Sequence, residues 1–171
     1  SMLIEDEVIR RIYSGDESAW IREVPSDCIR IEAQGLYLIP GGIDDQVHFR
    51  DPGFPQKGDI GSESRAALAG GITSFMDMPN TLPPTLSLEL WEEKMKRAAS
   101  VSYINYSFYF GAGNHNLDLL SRLDVRRTCG VKAFLGSSTG NLLLDDTNAK
   151  SRLFAECPIL LATHCEKEEI I

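Results

Sequence analysis

Residues 42 to 53 read Gly-Ile-Asp-Asp-Gln-Val-His-Phe-Arg-Asp-Pro-Gly. Side chains on a strand alternate between two faces, so Gln46 and His48 share one face and Val47 and Phe49 take the other. Asp44 falls in phase with Gln46 and His48. The run then breaks at Arg50-Asp51-Pro52-Gly53, a turn signal that leaves a cation and a carboxylate at the strand's end. A strand of this kind buries one face and delivers polar groups at its C-terminal tip.

Outward from that stretch, apolar strand-length runs alternate with helix-length amphipathic segments. Strands are predicted at Gly42 to Phe49, Ile72 to Met78, Tyr103 to Gly111, Val131 to Leu135 and Ile159 to His164. Helices are predicted at Ile60 to Ala69, Ser87 to Ser100, Leu117 to Arg127 and Asp145 to Glu156. The second helix is clearest: Leu88, Trp91, Met95 and Ala98 recur at three- and four-residue steps, with Glu92, Glu93, Lys94, Lys96 and Arg97 outside that stripe. Alternating strands and helices imply a parallel sheet with right-handed crossovers, here an α/β fold of about five of the eight strand-helix units of a (β/α)8 TIM barrel. A full barrel needs about 250 residues, and the sequence has 171. Upstream of Pro40-Gly41 the pattern differs: short β-type runs at Glu7 to Tyr13, Asp27 to Glu32 and Gly35 to Ile39. Residues 1–40 therefore read as a small β segment, part of a composite sandwich, and residues 41–171 as the N-terminal part of the barrel. Ser1-Met2 leads into Leu3 to Glu7 as though in mid-strand.

The net charge of −8 leaves no clustered basic surface for nucleic acid. No apolar run approaches the roughly 20 residues of a membrane span. The four cysteines, Cys28, Cys129, Cys157 and Cys165, lack CxxC spacing and read as reduced thiols, so the expected setting is cytoplasmic.

Polar residues gather at the strand ends, where a (β/α) barrel builds its active site: Asp44, Asp45, Gln46, His48, Arg50 and Asp51 on the first strand, Asp77, Asn80 and Thr81 on the second, Lys132 on the fourth, and His164, Cys165 and Glu166 on the fifth. Arg50 and Asn80 pair a bidentate cation with an amide donor, a clamp suited to a small carboxylate; the plainer readings are a surface salt bridge for Arg50 and turn chemistry for Asn80. Lys132 lies inside an apolar strand, where an unpaired ammonium is costly, so it needs a partner or a modification. Gln46 offers only a neutral carboxamide oxygen where zinc prefers imidazole or thiolate.

Taken together, Gly41-Gly42-Ile43-Asp44, Gln46-Val47-His48-Phe49-Arg50-Asp51-Pro52-Gly53, Ala66 to Thr73, Met78-Pro79-Asn80-Thr81, Val131-Lys132 with Gly136-Ser137-Ser138, and Thr163-His164-Cys165-Glu166 resemble the amidohydrolase superfamily, and within it the dihydroorotases. The resemblance spans nearly the whole chain. It departs at Gln46, where the family carries the first histidine of a His-x-His pair. It implies zinc, one or two ions, held by His48, a carboxylated Lys132 and His164, with Gln46 weakening the site. Arg50 and Asn80 would hold a substrate carboxylate, and Lys132 would take part in catalysis through the metals it bridges. The implied reaction is the reversible interconversion of N-carbamoyl-L-aspartate and dihydroorotate in pyrimidine biosynthesis, by a metal-activated hydroxide. The family's further metal histidine and proton-shuttling aspartate are not found among these residues, so a chain of this length is expected to be inactive alone. Two other readings stand beside it: a dihydroorotase-like structural or assembly protein without catalysis, motivated by Gln46, and a hydantoinase- or allantoinase-type hydrolase. Open barrel edges invite association, so a homo-oligomer is also expected.

Overall fold

The computed structural model describes residues 1–15, 21–136 and 140–166. The chain divides into two compact units, Ser1–Ile39 and Pro40–Ile171. In the first, β1 (Met2–Glu5) and β2 (Val8–Ile12) pair antiparallel, with Glu5 opposite Val8. Asp6 and Glu7, both at positive φ (48° and 66°), make the two-residue turn between them, as a tight hairpin following the strands' twist requires. The stretch read as continuous strand through Glu7 is therefore a hairpin. Residues 27–32 and 35–39, also predicted as strands, carry no ladder, and Ile29, Ile31 and Tyr37 lie more than 80% exposed. Their alternation suits a sheet, but among the described residues no neighbouring strand supplies the ladder.

The second unit is a five-stranded parallel sheet in sequence order: β3 (Gly42–Val47), β4 (Ile72–Asp77), β5 (Asn105–Ala112), β6 (Gly130–Phe134) and β7 (Leu161–His164). Crossovers carry α1 (Ile60–Ala69), α2 (Leu88–Val101) and α3 (Thr147–Glu156). Strands in sequence order with covering helices form a segment of a TIM barrel, as the periodicity predicted. The predicted helix at 117–127 is instead a short 3₁₀ helix, Leu117–Arg122; its leucines at 117, 120 and 123 repeat every three residues, which suits the tighter helix. The Gly-Ser-rich stretch after β6 includes residues 137–139, which lie outside the described residues.

Each helix begins on a side-chain cap. Asp59 accepts from the Ser62 N–H and Ser62 Oγ accepts from the Asp59 N–H, while Ser87 and Asp146 accept from Leu90 and Ala149. The sheet's two faces differ sharply. Phe75, Phe108, Phe110, Val131 and Ala133 alternate onto the helix-covered face and are at most 1% exposed, packed with Trp91, Ala98 and Leu153 from the helices. Their neighbours in sequence, including Tyr109, Lys132 and Phe134, therefore line the opposite, concave face.

Candidate active site

The tip of β3 shows how the site is built. Val47 registers with Asp77 and packs against the core, and Phe49 lies 4.6 Å, ring to ring, from Phe75. His48, between them, is thereby turned to the concave face. The register shifts between Asp44 and Val47, so Asp44 does not stay in phase with Gln46 and His48 as simple alternation predicts. Its carboxylate accepts from the Gln46 N–H at 3.1 Å, and the Gln46 side chain is exposed.

His48 Nδ1 lies 2.9 Å from Asn80 Oδ1. A carboxamide oxygen only accepts, so Nδ1 donates in this bond and Nε2 takes no part in it. Arg50 sits at φ +63°, a left-handed conformation costly for a residue with a Cβ, and donates from Nη1 to the Asn80 carbonyl at 3.2 Å. Arg50, Asn80 and His48 are thus brought together. Asn80 spends its oxygens on the other two, and among the described residues its NH2 group and the rest of the Arg50 guanidinium fork meet no hydrogen-bond partner. The turn that follows needs Gly53, at φ +106°, because any Cβ there would collide with Leu82.

Lys132 and His164 stand across the sheet. Lys132 is 5% exposed, and its Nζ lies 5.1 Å from the centre of the Phe134 ring. Burial lowers its pKa below the usual lysine range. Among the described residues no carboxylate pairs with it. Phe134 registers with His164, their rings are 5.9 Å apart, and His164 Nε2 lies 3.0 Å from Glu166 Oε2. Lys132, Phe134 and His164 form one connected group; His48, Asn80 and Arg50 form another. Tyr109, which the sequence reading passed over, lies between them in strand order on the same face, and its hydroxyl donates to the Asp45 carbonyl at 3.1 Å. Its alternation with Phe108 and Phe110 was the available signal.

Two expectations are corrected. Asp77 does not join the concave site: it registers with Val47 and Phe108, is fully buried on the helix side, and its Oδ2 lies 2.5 Å from Lys94 Nζ. Lys94 is not on the outer face of α2 but 2% exposed, bonded also to the Met78 carbonyl and 4.7 Å from the Phe108 ring centre. Three residues after Trp91 and four before Ala98, it falls on the edge of the apolar stripe.

The donors fit zinc in kind but fall short in number. His48 offers a free Nε2 held in orientation by Asn80, the arrangement typical of a ligating histidine, and His164 adds a second imidazole. Lys132 becomes an oxygen donor only if modified. Among the described residues, no three His, Cys, Asp or Glu side chains converge closely enough to hold an ion.

No protein-family model matches the chain. It is 36% identical over 151 residues to a dihydroorotase of Methanosarcina acetivorans, covering 86% of this chain and 32% of that protein. An allantoinase of Deinococcus radiodurans is 32% identical, covering 99% of this chain and 40% of its own length. Among solved structures, an L-hydantoinase (dihydropyrimidinase) from Arthrobacter aurescens superposes with a TM-score of 0.86 at 28% identity, over 99% of this chain and 37% of that one. The chain spans about a third of the length of the relatives it matches, all three kinds of which are cyclic-amide hydrolases.

Proposed function

We propose, on the premise that this chain is kin to the amidohydrolases over the third of their length it spans, that it forms the carboxylate-binding part of a dihydroorotase, with N-carbamoyl-L-aspartate and dihydroorotate as its substrates. The observation that carries the choice of substrate is the pairing of Arg50 with Asn80. The guanidinium donates one N–H to the Asn80 carbonyl and has the others to give, beside an Asn80 NH2 group left over from the bond to His48. Two planar donor groups side by side suit a carboxylate in bidentate geometry. The bond from Arg50 Nη1 to the Asn80 carbonyl holds that fork in place before substrate arrives, which reduces the ordering cost of binding.

The proposed metal residues are His48, Lys132 and His164, with Gln46 a poor fourth and zinc the ion. Lys132 enters as a carbamate: its neutral amine adds to carbon dioxide, an N–C bond forms, one proton leaves, and the new group is anionic. Desolvation favours this by raising the neutral fraction of the amine. When bound, zinc supplies Lewis acidity at the ring amide carbonyl and lowers the pKa of water. The chain's own residues orient the ring: Arg50 and Asn80 fix its carboxylate end, and Asn80 holds the His48 imidazole at the same time. A soluble enzyme, and association of open-edged copies into a homo-oligomer, belong to the same proposal.

Titration of the chain with dihydroorotate tests the reading. Binding that weakens about tenfold or more in Arg50→Ala supports it, since a carboxylate left with one neutral donor loses a charge-assisted bond. Equal binding of dihydroorotate and a neutral hydantoin ring, indifferent to Arg50, would favour the hydantoinase or allantoinase reading that the TM-score of 0.86 also supports. Activity of the longer protein appearing only in Gln46→His would favour a dihydroorotase-like assembly protein without catalysis.

A further inference from the structure

Helix α2 carries two cations one turn apart, Lys94 and Arg97, and each meets a buried carboxylate next to the candidate site. Lys94 Nζ lies 2.5 Å from Asp77 Oδ2, and Asp77 Oδ1 in turn accepts from the Phe49 N–H at 3.0 Å. Arg97 Nε lies 2.7 Å from both oxygens of Asp51, which is 5% exposed, and Asp51 Oδ2 also accepts from the Ile60 N–H at the start of α1. Lys94 also holds the Met78 carbonyl, two residues before Asn80. The segment His48-Phe49-Arg50 is therefore gripped at Phe49 through its backbone and just past Arg50 through Asp51.

We infer that Lys94, Asp77, Arg97 and Asp51 are positioning residues, a two-point brace by which helix α2 holds His48 and Arg50 in place from the far side of the sheet. A salt bridge kept only for stability could face any backbone. Here Asp77 accepts from the amide that follows His48, and Asp51, the residue after Arg50, ties that point of the chain to the start of α1 through the Ile60 N–H. Arg50's left-handed backbone needs such support, because a strained conformation persists only where its surroundings over-determine it. Buried pairs are also poor sources of net stability compared with apolar replacements, so orientation is the contribution the pair is suited to make. The inference rests on the proposed function only for what His48 and Arg50 do, and not for how they are held.

The test uses paired variants of the whole chain, read by NMR without ligand. Lys94→Met with Asp77→Leu removes both charges and the acceptor for the Phe49 N–H; Lys94→Met with Asp77→Asn removes the charges and keeps the acceptor. In the first, the Phe49 amide is expected to exchange about tenfold faster or more, through loss of its buried partner, and the His48 ring signals to shift. The second is expected to restore the Phe49 amide while the His48 ring signals stay shifted, because without Lys94 the acceptor at position 77 is no longer tied to α2. Unchanged His48 signals in the folded leucine variant, or His48 signals fully restored in the asparagine variant, would overturn the inference. Should the leucine variant not fold, Arg97→Gln on the half-exposed side of α2 serves instead: the Ile60 and Arg50 amide signals are expected to move, and their constancy would count against the brace. These readouts need no substrate, so if dihydroorotate binds neither parent nor variant, the function falls while the brace stands or falls by its own signals.

Discussion

Two lysines lie in this sheet's neighbourhood at nearly the same exposure, Lys94 at 2% and Lys132 at 5%, and they are treated in opposite ways. On the helix-covered side, Lys94 has a carboxylate, a backbone carbonyl and an aromatic face around its ammonium. On the concave side, Lys132 has an aromatic face, and no carboxylate among the described residues pairs with it. Burial pulls the pKa of both down, while Asp77 opposes that fall at Lys94. At Lys94 the fold itself supplies partners that offset the desolvation. Lys132 offsets its desolvation only through the Phe134 ring and Cys165, without a carboxylate among the described residues, which is expected where a residue is kept for chemistry rather than for stability.

The sharpest way to break this contrast is to remove each lysine. Lys94→Ala leaves the Asp77 carboxylate buried and unpaired and is expected to cost about 3–5 kcal/mol in urea unfolding, most of it recovered when Asp77→Leu and Lys94→Met are combined. Lys132→Met, by contrast, is expected to fall within about 1 kcal/mol of the parent or to stabilise it, because it removes an unpaired buried amine and keeps the volume. A loss at Lys132 as large as at Lys94 would mean that the concave lysine has a structural partner after all.

A smaller effect separates the capped helices from the faces they cover. Asp146→Ala removes the acceptor for the Ala149 N–H and is expected to cost about 1 kcal/mol. It should leave the His48 and Lys132 signals unmoved, since α3 covers the helix side only.

An effect that vanishes at neutral pH concerns Cys129, whose thiol burial pushes up to about 11 from 9.0. A folded-state pKa above the unfolded one means that the unfolded chain releases this proton first, so stability falls as pH rises from about 9 to 11 and is unaffected by this group below that window. The same burial makes Cys129 slower to alkylate at pH 8 than the exposed Cys28 and Cys165. Mass spectrometry after brief iodoacetamide treatment reads the order directly.

Much of the parallel sheet was legible because its signal is local: each strand is an apolar run, and each helix has a stripe and a capping residue. The strand-end rule brought Arg50, Asn80, His48, Lys132 and His164 into view for the same reason. What escaped depended on neighbours. Asp77 sits at a strand end like Asn80, yet its parity with Phe75 sends it to the helix side, and only the register with β3 and β5 makes that plain. Lys94 looked external because it is charged, although its spacing from Trp91 and Ala98 placed it on the stripe. The shift between Asp44 and Val47 carries no mark in the sequence, since a bulge is decided by the partner strand. Residues 27–39 show the converse, β-type alternation without a partner to form a ladder.

The contrast between the two lysines comes to its most direct test in the carbon-13 spectrum of the chain equilibrated with labelled bicarbonate and zinc. A carbamate resonance is expected that requires Lys132 and is absent in Lys132→Met, with Lys94 left unmodified beside Asp77. A spectrum without any carbamate, or one whose carbamate persists in Lys132→Met, would contradict the claim that the concave lysine is held ready for a modification.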